Sequence, residues 1–457
     1  MDNKKATLEL GTKPIGSLLL QYALPAVIAM TAASLYNIVD RVFIGQVVGA
    51  EAISGLAVTF PFINLAAAFG AAVGVGAATS ISVKLGQRDY ATAQNILGNT
   101  VTLNLVIGSL FGIVCLFFLD PILHIFGASN VTLPYARDYM VIILAGNVFS
   151  HMYFGMNAVL RAASKPRHAM YATIFTVLMN TALDALFILG LGWGIKGAAL
   201  ATIIAQIIAL FWQMRLFMNK NELLHLKRGM YRLKKTLVGN IISIGISPFL
   251  MNVCASVVII FINNQLVKYG GDLAVGAFGI AYSISAIFIM FIIGLNQGMQ
   301  PIAGYNYGAR QMDRVMHVLK LAIISATIIM TSGWLIATFL PYYCARLFTS
   351  DTELIDHAIQ AIHINMMMYP LIGVQMVTTN FFQCIGKVKI SIFLSLSRQL
   401  LFLLPLLITL PHFWGLNGVW ASMPASDLLA VGVAVAILMV NVRKMKAQVN
   451  EHKNEQR

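Results

Sequence analysis

The chain has 457 residues, of which 58% are hydrophobic and 11% are charged, and its mean hydropathy is +0.79. A soluble domain carries about 25% charged residues, so this composition excludes a soluble globular protein. The formal net charge of +14 would suit a nucleic-acid-binding protein, but the distribution of the basic residues, given below, excludes that reading.

Twelve strongly apolar runs follow one another, each long enough for the roughly 20 residues that cross a bilayer as a helix. Lipid cannot satisfy exposed backbone polar groups, so we predict α-helices throughout. The sequence therefore predicts an all-α integral membrane protein with twelve transmembrane helices, over residues 15–45, 53–83, 95–119, 135–160, 168–190, 195–218, 239–267, 273–303, 317–343, 357–385, 390–412 and 416–440.

The basic residues predict the orientation of these helices. Of the 31 Lys and Arg residues, 25 lie in the two termini and the even-numbered connections, and only Arg137, Lys196, Lys268 and Arg346 lie in the odd-numbered ones. Lys and Arg accumulate in cytoplasmic loops, so both termini are predicted to be cytoplasmic. Cytoplasmic loops rich in Lys and Arg therefore explain the net positive charge, and no nucleic-acid partner is needed.

The chain also divides into two similar halves. Gly49, Gly76, Gly86 and Lys165 recur 222 residues later as Gly271, Gly298, Gly308 and Lys387. We predict a first six-helix lobe over residues 1–218, a cytoplasmic linker over 219–238, a second six-helix lobe over 239–442 and a basic tail over 443–457. Six spans is an even number, so both lobes insert the same way up, with a substrate site between them near the midplane.

Two acids lie within apolar runs at matched depth. Asp40 is in the first run with Asn37 close before it, and Asp184 is in the fifth run with Asn180 one turn earlier, while Thr202 lies at a similar depth in the sixth. Intramembrane carboxylates usually face a bundle interior or a wet cavity. We interpret these five residues as a cation-coupling site. Burial favours a proton there, whereas oxygens of Asp40, Asn180, Asp184 and Thr202 leave sodium open. A purely structural polar contact is the alternative.

Aromatic, amide and methionine side chains predict the wall of a substrate cavity. Flexible thioethers suit surfaces that accept many shapes, and aromatic faces together with a carboxylate favour bulky organic cations. The candidates for this wall are Tyr36, Tyr139, Phe154, Asn157, Gln265 and Met290.

Three further residues have predicted roles at membrane depth. Pro25 removes a backbone hydrogen bond from the first helix and is the candidate hinge. Arg398 and Asp427 fall at similar depth in neighbouring runs, which indicates a structural ion pair, with a second coupling site as the alternative.

Signals for an enzyme or a cofactor are missing from the sequence. There is no phosphate-binding GxxxxGK[ST] loop and no HExxH pair. The four cysteines have no spacing typical of a metal site. We therefore expect no cofactor apart from a coupling ion, and no enzymatic activity.

Several motifs together resemble those of the multidrug and toxic compound extrusion (MATE) family. They are Tyr36-Asn37-Ile-Val-Asp40, Gly74-Val-Gly76 before Leu85-Gly86, Arg161-Ala-Ala-Ser-Lys165-Pro166, Asn180-x-x-x-Asp184 and Gly194-x-x-Gly197-Ala198-Ala199-x-Ala201-Thr202. The resemblance implies a V-shaped bundle of two lobes. It also implies an antiporter that exports lipophilic cationic drugs against inward protons or sodium. In the family pattern Asp40, Asn180, Asp184 and Thr202 match the first-lobe cation site, and Pro25 matches the proline of the bending helix.

The chain lacks the acids that some branches carry in the second lobe, so it is most similar to the DinF-like branch. We expect a monomer in the plasma membrane of a prokaryote, with small organic cations and the bilayer as its partners. A flippase for lipid-linked precursors and a non-transporting membrane scaffold are the rival hypotheses.

Overall fold

The computed structural model describes the backbone of residues 2–47 and 50–455, and the side chains of residues 6–35, 44, 55–56, 58–60, 62–271 and 273–445. Within these ranges the regular structure is helical and contains no strand. The predicted all-α fold is confirmed.

The helices up to residue 218 are α1 (Asp2–Thr12), α2 (Ile15–Val47), α3 (Ala50–Gly86), α4 (Tyr90–Phe117), α5 (Leu119–Ile125), α6 (Leu133–Ala145), α7 (Asn147–Ala162), α8 (Pro166–Asp184) and α9 (Gly194–Met218). A π-helical segment, Ala185–Gly190, continues α8. Pro25 lies inside α2, where it is buried.

The remaining helices are α10 (Lys235–Gly308), α11 (Met312–Phe339), α12 (Pro341–Arg346), α13 (Thr352–Met366), α14 (Tyr369–Cys384), α15 (Val388–Leu396) and α16 (Leu404–Glu455). A second π-helical segment, Ser397–Leu403, joins α15 to α16. α10 is broken at Gly271 (φ 66°) and α16 at Gly415 (φ 53°), and both glycines adopt a backbone conformation that L side chains rarely take.

The predicted spans agree with these helices. In the described ranges nine helices are long and apolar enough to cross a bilayer, and α6 with α7 forms a tenth span that bends by 58°. One of the nine, Val388–Met445, has 58 residues and is broken at Gly415, so it covers two predicted runs. α13 and α14 together cover the run 357–385. Each of the twelve runs thus corresponds to helical chain.

Three short helices were not predicted from the apolar runs. α1 precedes the first span and buries Leu10 and Thr7, while α5 and α12 lie in connections between spans. Helices of this length are stabilised mainly by tertiary packing. Their sequences therefore lack the long apolar run that marks a membrane span.

The chain forms two compact units. The first comprises Met1–Lys13 and Leu24–Asn252, and the second comprises Pro14–Ala23 and Val253–Arg457. In the first unit a Cβ added to Gly76 would lie 2.0 Å from the carbonyl oxygen of Ile241. In the second unit a Cβ added to Gly298 would lie 2.5 Å from the backbone nitrogen and Cα of Ala23. Repeat-related glycines therefore permit equivalent helix contacts in the two units.

The polar connection between α9 and α10 belongs to the first unit and packs on α4. Asn99 of α4 is fully buried and donates hydrogen bonds to the carbonyls of Met230 (3.2 Å) and Arg232 (3.1 Å), while it accepts one from the N–H of Lys234 (2.8 Å). Lys165 forms a 2.6 Å ion pair with Glu222. One buried amide thus satisfies three backbone groups of the connection.

Candidate functional site

Asp184 ends α8 inside the first unit and is fully buried, and Asn180 lies one turn before it with 2% of its surface exposed. α9 returns beside α8. A tight loop with positive φ at Gly192 and Gly194 makes this turn, and Gly197 then lets α9 approach Phe187 closely. This approach places Thr202 of α9 against Asn180.

The amide of Asn180 bridges the two helices. In the orientation that satisfies both ends, its nitrogen donates to Oδ2 of Asp184 at 2.9 Å, and its oxygen accepts from the backbone N–H of Thr202 at 3.0 Å. The same oxygen lies 3.3 Å from Oγ1 of Thr202. The opposite orientation would set the amide oxygen against a carboxylate oxygen, which is unfavourable. The structure therefore brings together Asn180, Asp184 and Thr202.

This geometry decides what the three residues offer a ligand. The N–H that Asn180 donates to Asp184 favours the ionised form of that carboxylate. In this orientation the amide oxygen faces Thr202 and the amide nitrogen faces Asp184, so the three residues form a hydrogen-bonded link between α8 and α9. The described side chains also contain no group of three or more His, Cys, Asp or Glu residues placed to hold a metal ion.

The predicted partner acid, Asp40, and its neighbours Tyr36 and Asn37 belong to α2. Tyr36, Asn37 and Asp40 lie outside the residues whose side chains the structure describes. Their predicted roles remain predictions.

The predicted cavity residues occupy different environments. Tyr139 is buried in the apolar core of the first unit, and Phe154 is 40% exposed. Asn157 is buried between α7 and α8, where it donates to the carbonyl of Ala169 at 3.0 Å and accepts from Arg161. In the second unit Gln265 and Met290 are half-buried. Phe154, Gln265 and Met290 thus present surface, whereas Tyr139 and Asn157 are enclosed by the first unit.

The second unit places Arg398 beside Asp427. Nε of Arg398 lies 2.7 Å from Oδ1 of Asp427, and the exposed fractions of the two side chains are 29% and 7%. Arg398 is in the π-helical segment Ser397–Leu403, and Asp427 is in α16. The carboxylate is enclosed and the guanidinium is only partly covered.

Sequence reasoning missed a line of polar residues on α7. His151 is almost fully buried and its Nε2 lies 2.9 Å from the carbonyl oxygen of Ala66 on α3. Asn147 donates to the carbonyl of Gly108 on α4 at 3.1 Å, and Ser150 donates to Oε1 of Gln206 on α9 at 2.5 Å. The spacing of Asn147, Ser150 and His151 is that of one helical face, which is the sequence signal for this line.

The comparisons with known proteins agree with this architecture. The MatE family model matches residues 25–186 and 248–409. The two matched segments begin 223 residues apart, which confirms the duplication predicted from the glycines.

Relatives that align over more than nine-tenths of their length are also transport proteins or share this fold. The chain is similar to the Multidrug export protein MepA of Staphylococcus haemolyticus (strain JCSC1435), with 28% identity over 420 residues that cover 92% of each chain. A solved structure named only as protein A is 37% identical with a TM-score of 0.88, and 94% and 96% of the two chains are covered.

A multidrug resistance MATE family transporter of the MOP superfamily, solved in an outward-facing conformation, is 24% identical with a TM-score of 0.89 over 96% and 98% of the two chains. At that identity the likeness concerns the fold. The relatives are named for export and transport, which agrees with the prediction that the chain is not an enzyme. With a family model matched in both halves and a duplicated bundle of membrane-spanning helices, the chain belongs to the MatE family of multi-pass membrane transporters.

Proposed function

We propose that this protein is a secondary active multidrug efflux antiporter, which exports lipophilic organic cations in exchange for inward protons by alternating access. The observation that carries the proposal is the buried carboxylate of Asp184, held by Asn180 and Thr202 inside an apolar unit. A carboxylate at membrane depth is costly and is usually retained for function. The named export activity of the MepA relatives supports the choice of cargo.

The coupling step is a change in the protonation of Asp184. Its ionised form accepts the hydrogen bond from Asn180, and its protonated form is the form that apolar surroundings favour. Binding of the proton and binding of the drug disfavour one another, with Asp40 and Asn37 as the predicted partners in the same site. The hinge role of Pro25 is part of this proposal, because the proline lies inside a membrane-spanning helix.

The driving force is sufficient for useful export. One pH unit supplies about 1.36 kcal/mol per proton, and 100 mV supplies about 2.3 kcal/mol per charge. Exchange of one proton for one monovalent cation moves no net charge, so only the pH term counts and it supports a drug gradient of about tenfold. A second proton per drug adds the potential term and raises the limit to roughly several thousandfold. The scheme needs no nucleotide. We place the protein in a prokaryotic plasma membrane with both termini in the cytoplasm.

The test is ethidium transport in reconstituted vesicles under an imposed pH gradient or an imposed sodium gradient. We expect the pH gradient to drive transport and Asp184→Asn to abolish it. The matched control is Asp138→Asn, because Asp138 is an exposed acid paired with Lys196 at 3.3 Å. Full proton-driven transport by Asp184→Asn would rule out the assigned role. Transport driven by sodium alone would replace the proton in the scheme. Movement of a lipid-linked pyrophosphate precursor without ethidium transport would favour a flippase.

A further inference from the structure

An open groove, here named the α9 groove, lies beside the last turns of α9. It has a volume of about 710 Å³ and is lined by Trp212, Arg215, Leu216, Met218, Asn219 and Glu222. Small-molecule sites in proteins have volumes of roughly 300–1,000 Å³. All six residues belong to the first unit, and none of them takes part in the cluster around Asp184. The α9 groove is therefore a separate place where a molecule of this size fits.

Neighbouring contacts fix two walls of the α9 groove. The ring of His168, in the first turn of α8, stacks on the ring of Trp212 with the centroids 6.1 Å apart and the planes inclined by 23°. Oδ1 of Asn219 accepts a hydrogen bond from the backbone N–H of Asn221 at 3.1 Å. The amide nitrogen of Asn219 is thus the end that remains for a ligand. One aromatic wall and one amide donor are held in place.

The charges that line the α9 groove do not cancel. Arg215 is exposed and forms neither a hydrogen bond nor an ion pair with the residues that the structure describes. Glu222 forms an ion pair with Lys165 at 2.6 Å, and the two side chains are only 13% and 12% exposed. Because Lys165 neutralises Glu222, the groove keeps one positive charge, that of Arg215. A ligand with one negative charge matches this balance.

The α9 groove lies at the level of lipid headgroups. α9 is a candidate membrane span of 25 residues, which corresponds to a length of about 38 Å. The hydrocarbon core of a bilayer is about 30 Å thick, so the last turn of α9 reaches the headgroup region. Arg215 lies in that last turn, and Trp212 lies about one turn before it. Tryptophan is enriched at this boundary between apolar chains and headgroups.

An apolar stripe leads along α9 to Arg215. Ile208 and Phe211 are 39% and 69% exposed, and Met218 beyond Arg215 is 67% exposed. These four positions follow one another at spacings of three, four and three residues, so they share one helical face. Exposed apolar side chains on a membrane span suit contact with acyl chains. The face therefore combines a surface for acyl chains with a cation at headgroup level.

We propose that the α9 groove binds the headgroup of an anionic phospholipid, with phosphatidylglycerol as its occupant. Arg215 and the amide nitrogen of Asn219 donate to the phosphate, and the acyl chains follow the apolar stripe. The hydroxyl groups of the headgroup donate to the carboxylate of Glu222. A zwitterionic phospholipid fits less well, because its net charge of zero leaves the charge of Arg215 unbalanced and its ammonium group approaches Lys165.

The test is a competition between two phospholipids for the purified full-length protein in detergent. Phosphatidylglycerol and phosphatidylethanolamine with the same acyl chains are added at equal concentration, and native mass spectrometry measures which lipid stays bound. We expect the wild type to prefer phosphatidylglycerol. Arg215→Gln should lower this preference about fivefold, which is the contribution of one cationic side chain near a lipid surface.

Two further variants separate the α9 groove from general attraction by a basic protein. Arg228→Gln is the matched control, because Arg228 is exposed in the connection after α9, lies outside the groove and removes the same charge. It should leave the preference unchanged. Arg215→Lys keeps the charge and should retain most of the preference. Without added lipid, Arg215→Gln should unfold at the same temperature as the wild type, since Arg215 is exposed.

Three results would overturn the inference. The first is an equal loss of preference in Arg215→Gln and Arg228→Gln, because the preference would then follow net charge alone. The second is a wild-type preference that survives in Arg215→Gln. The third is release of bound phosphatidylglycerol by glycerol phosphate at the same concentration, because the acyl chains would then contribute nothing. Binding is measured without any ion gradient, so these results do not depend on the proposed export function.

Discussion

The amide nitrogen of Asn180 lies 2.9 Å from Oδ2 of Asp184, one turn apart on a helix that both residues share. The same amide accepts from the backbone of Thr202, so a neighbouring helix fixes which end of the amide faces the carboxylate. This one amide therefore connects the Asp184 carboxylate to the packing of α8 on α9.

The first prediction concerns this hydrogen bond. Asn180→Ala removes the amide that links Asp184 to Thr202, so the carboxylate and α9 each lose a buried hydrogen-bond partner. We expect proton-driven ethidium exchange to fall at least about tenfold. The measurement is the rate of ethidium exchange in vesicles under an imposed pH gradient. Thr181→Ala is the control, because the hydroxyl of Thr181 donates to the carbonyl of Val177 one turn earlier on the same helix. Equal exchange rates for Asn180→Ala and the wild type would contradict the prediction.

The second prediction concerns the contact of α3 with α10. Gly76→Ala places a methyl group 2.0 Å from the carbonyl oxygen of Ile241, so the two backbones must separate. We expect a loss of at least about 1–3 kcal/mol in stability, measured by thermal unfolding in detergent, together with reduced transport. The matched control is Gly239→Ala on α10, where the added methyl group meets nothing within 4 Å. That control should be neutral or stabilising by about 0.5–1 kcal/mol. Equal stability of the two variants would show that α3 and α10 adapt freely.

The third prediction concerns the connection between α9 and α10. Asn99→Ala leaves the carbonyls of Met230 and Arg232 and the N–H of Lys234 without their buried partner. Each such group costs about 1–3 kcal/mol when it stays unsatisfied. We expect earlier thermal unfolding and faster proteolysis within residues 219–234. Asn95→Ala is the control, because Asn95 is half-buried one turn earlier on the same helix. Equal protease resistance of the two variants would contradict the prediction.

The fourth prediction concerns the start of α4. The hydroxyl and backbone N–H of Thr92 hold the pKa of Asp89 below its ordinary value of 3.8. A lowered pKa means that Asp89 contributes stability above about pH 4, and that this contribution is lost as the pH falls further. We expect Asp89→Ala to cost about 1 kcal/mol at pH 7.

The measurement for Asp89 is the difference in unfolding temperature between the wild type and Asp89→Ala over a range of pH. The difference should shrink as the pH falls below about 4. Asp356→Ala, at an exposed position inside α13, is the control and should show no comparable difference. A difference for Asp89→Ala that stays constant from pH 7 to pH 3 would contradict the prediction.

The sequence by itself determined the membrane class, the twelve spans and the duplication. Hydropathy and the positions of Lys and Arg are properties of the linear sequence. They predict the spans because the bilayer acts on each span mainly through the composition of that span. The pairing of Asn180 with Asp184 was also predictable from the sequence, since residues four apart lie on one face of a helix. Thr202 could be joined to them because consecutive spans are usually neighbours.

Only the tertiary structure decided which atoms meet. The direction of the Asn180 amide depends on Thr202, and the pairing of Arg398 with Asp427 joins the π-helical segment Ser397–Leu403 to α16. The contact of Gly76 with Ile241 joins residues far apart in the chain. Sequence patterns assign a residue to a depth and a helical face. Packing between distant helices sets the angle at which that face meets its neighbour, and this angle fixes the hydrogen bonds of the site.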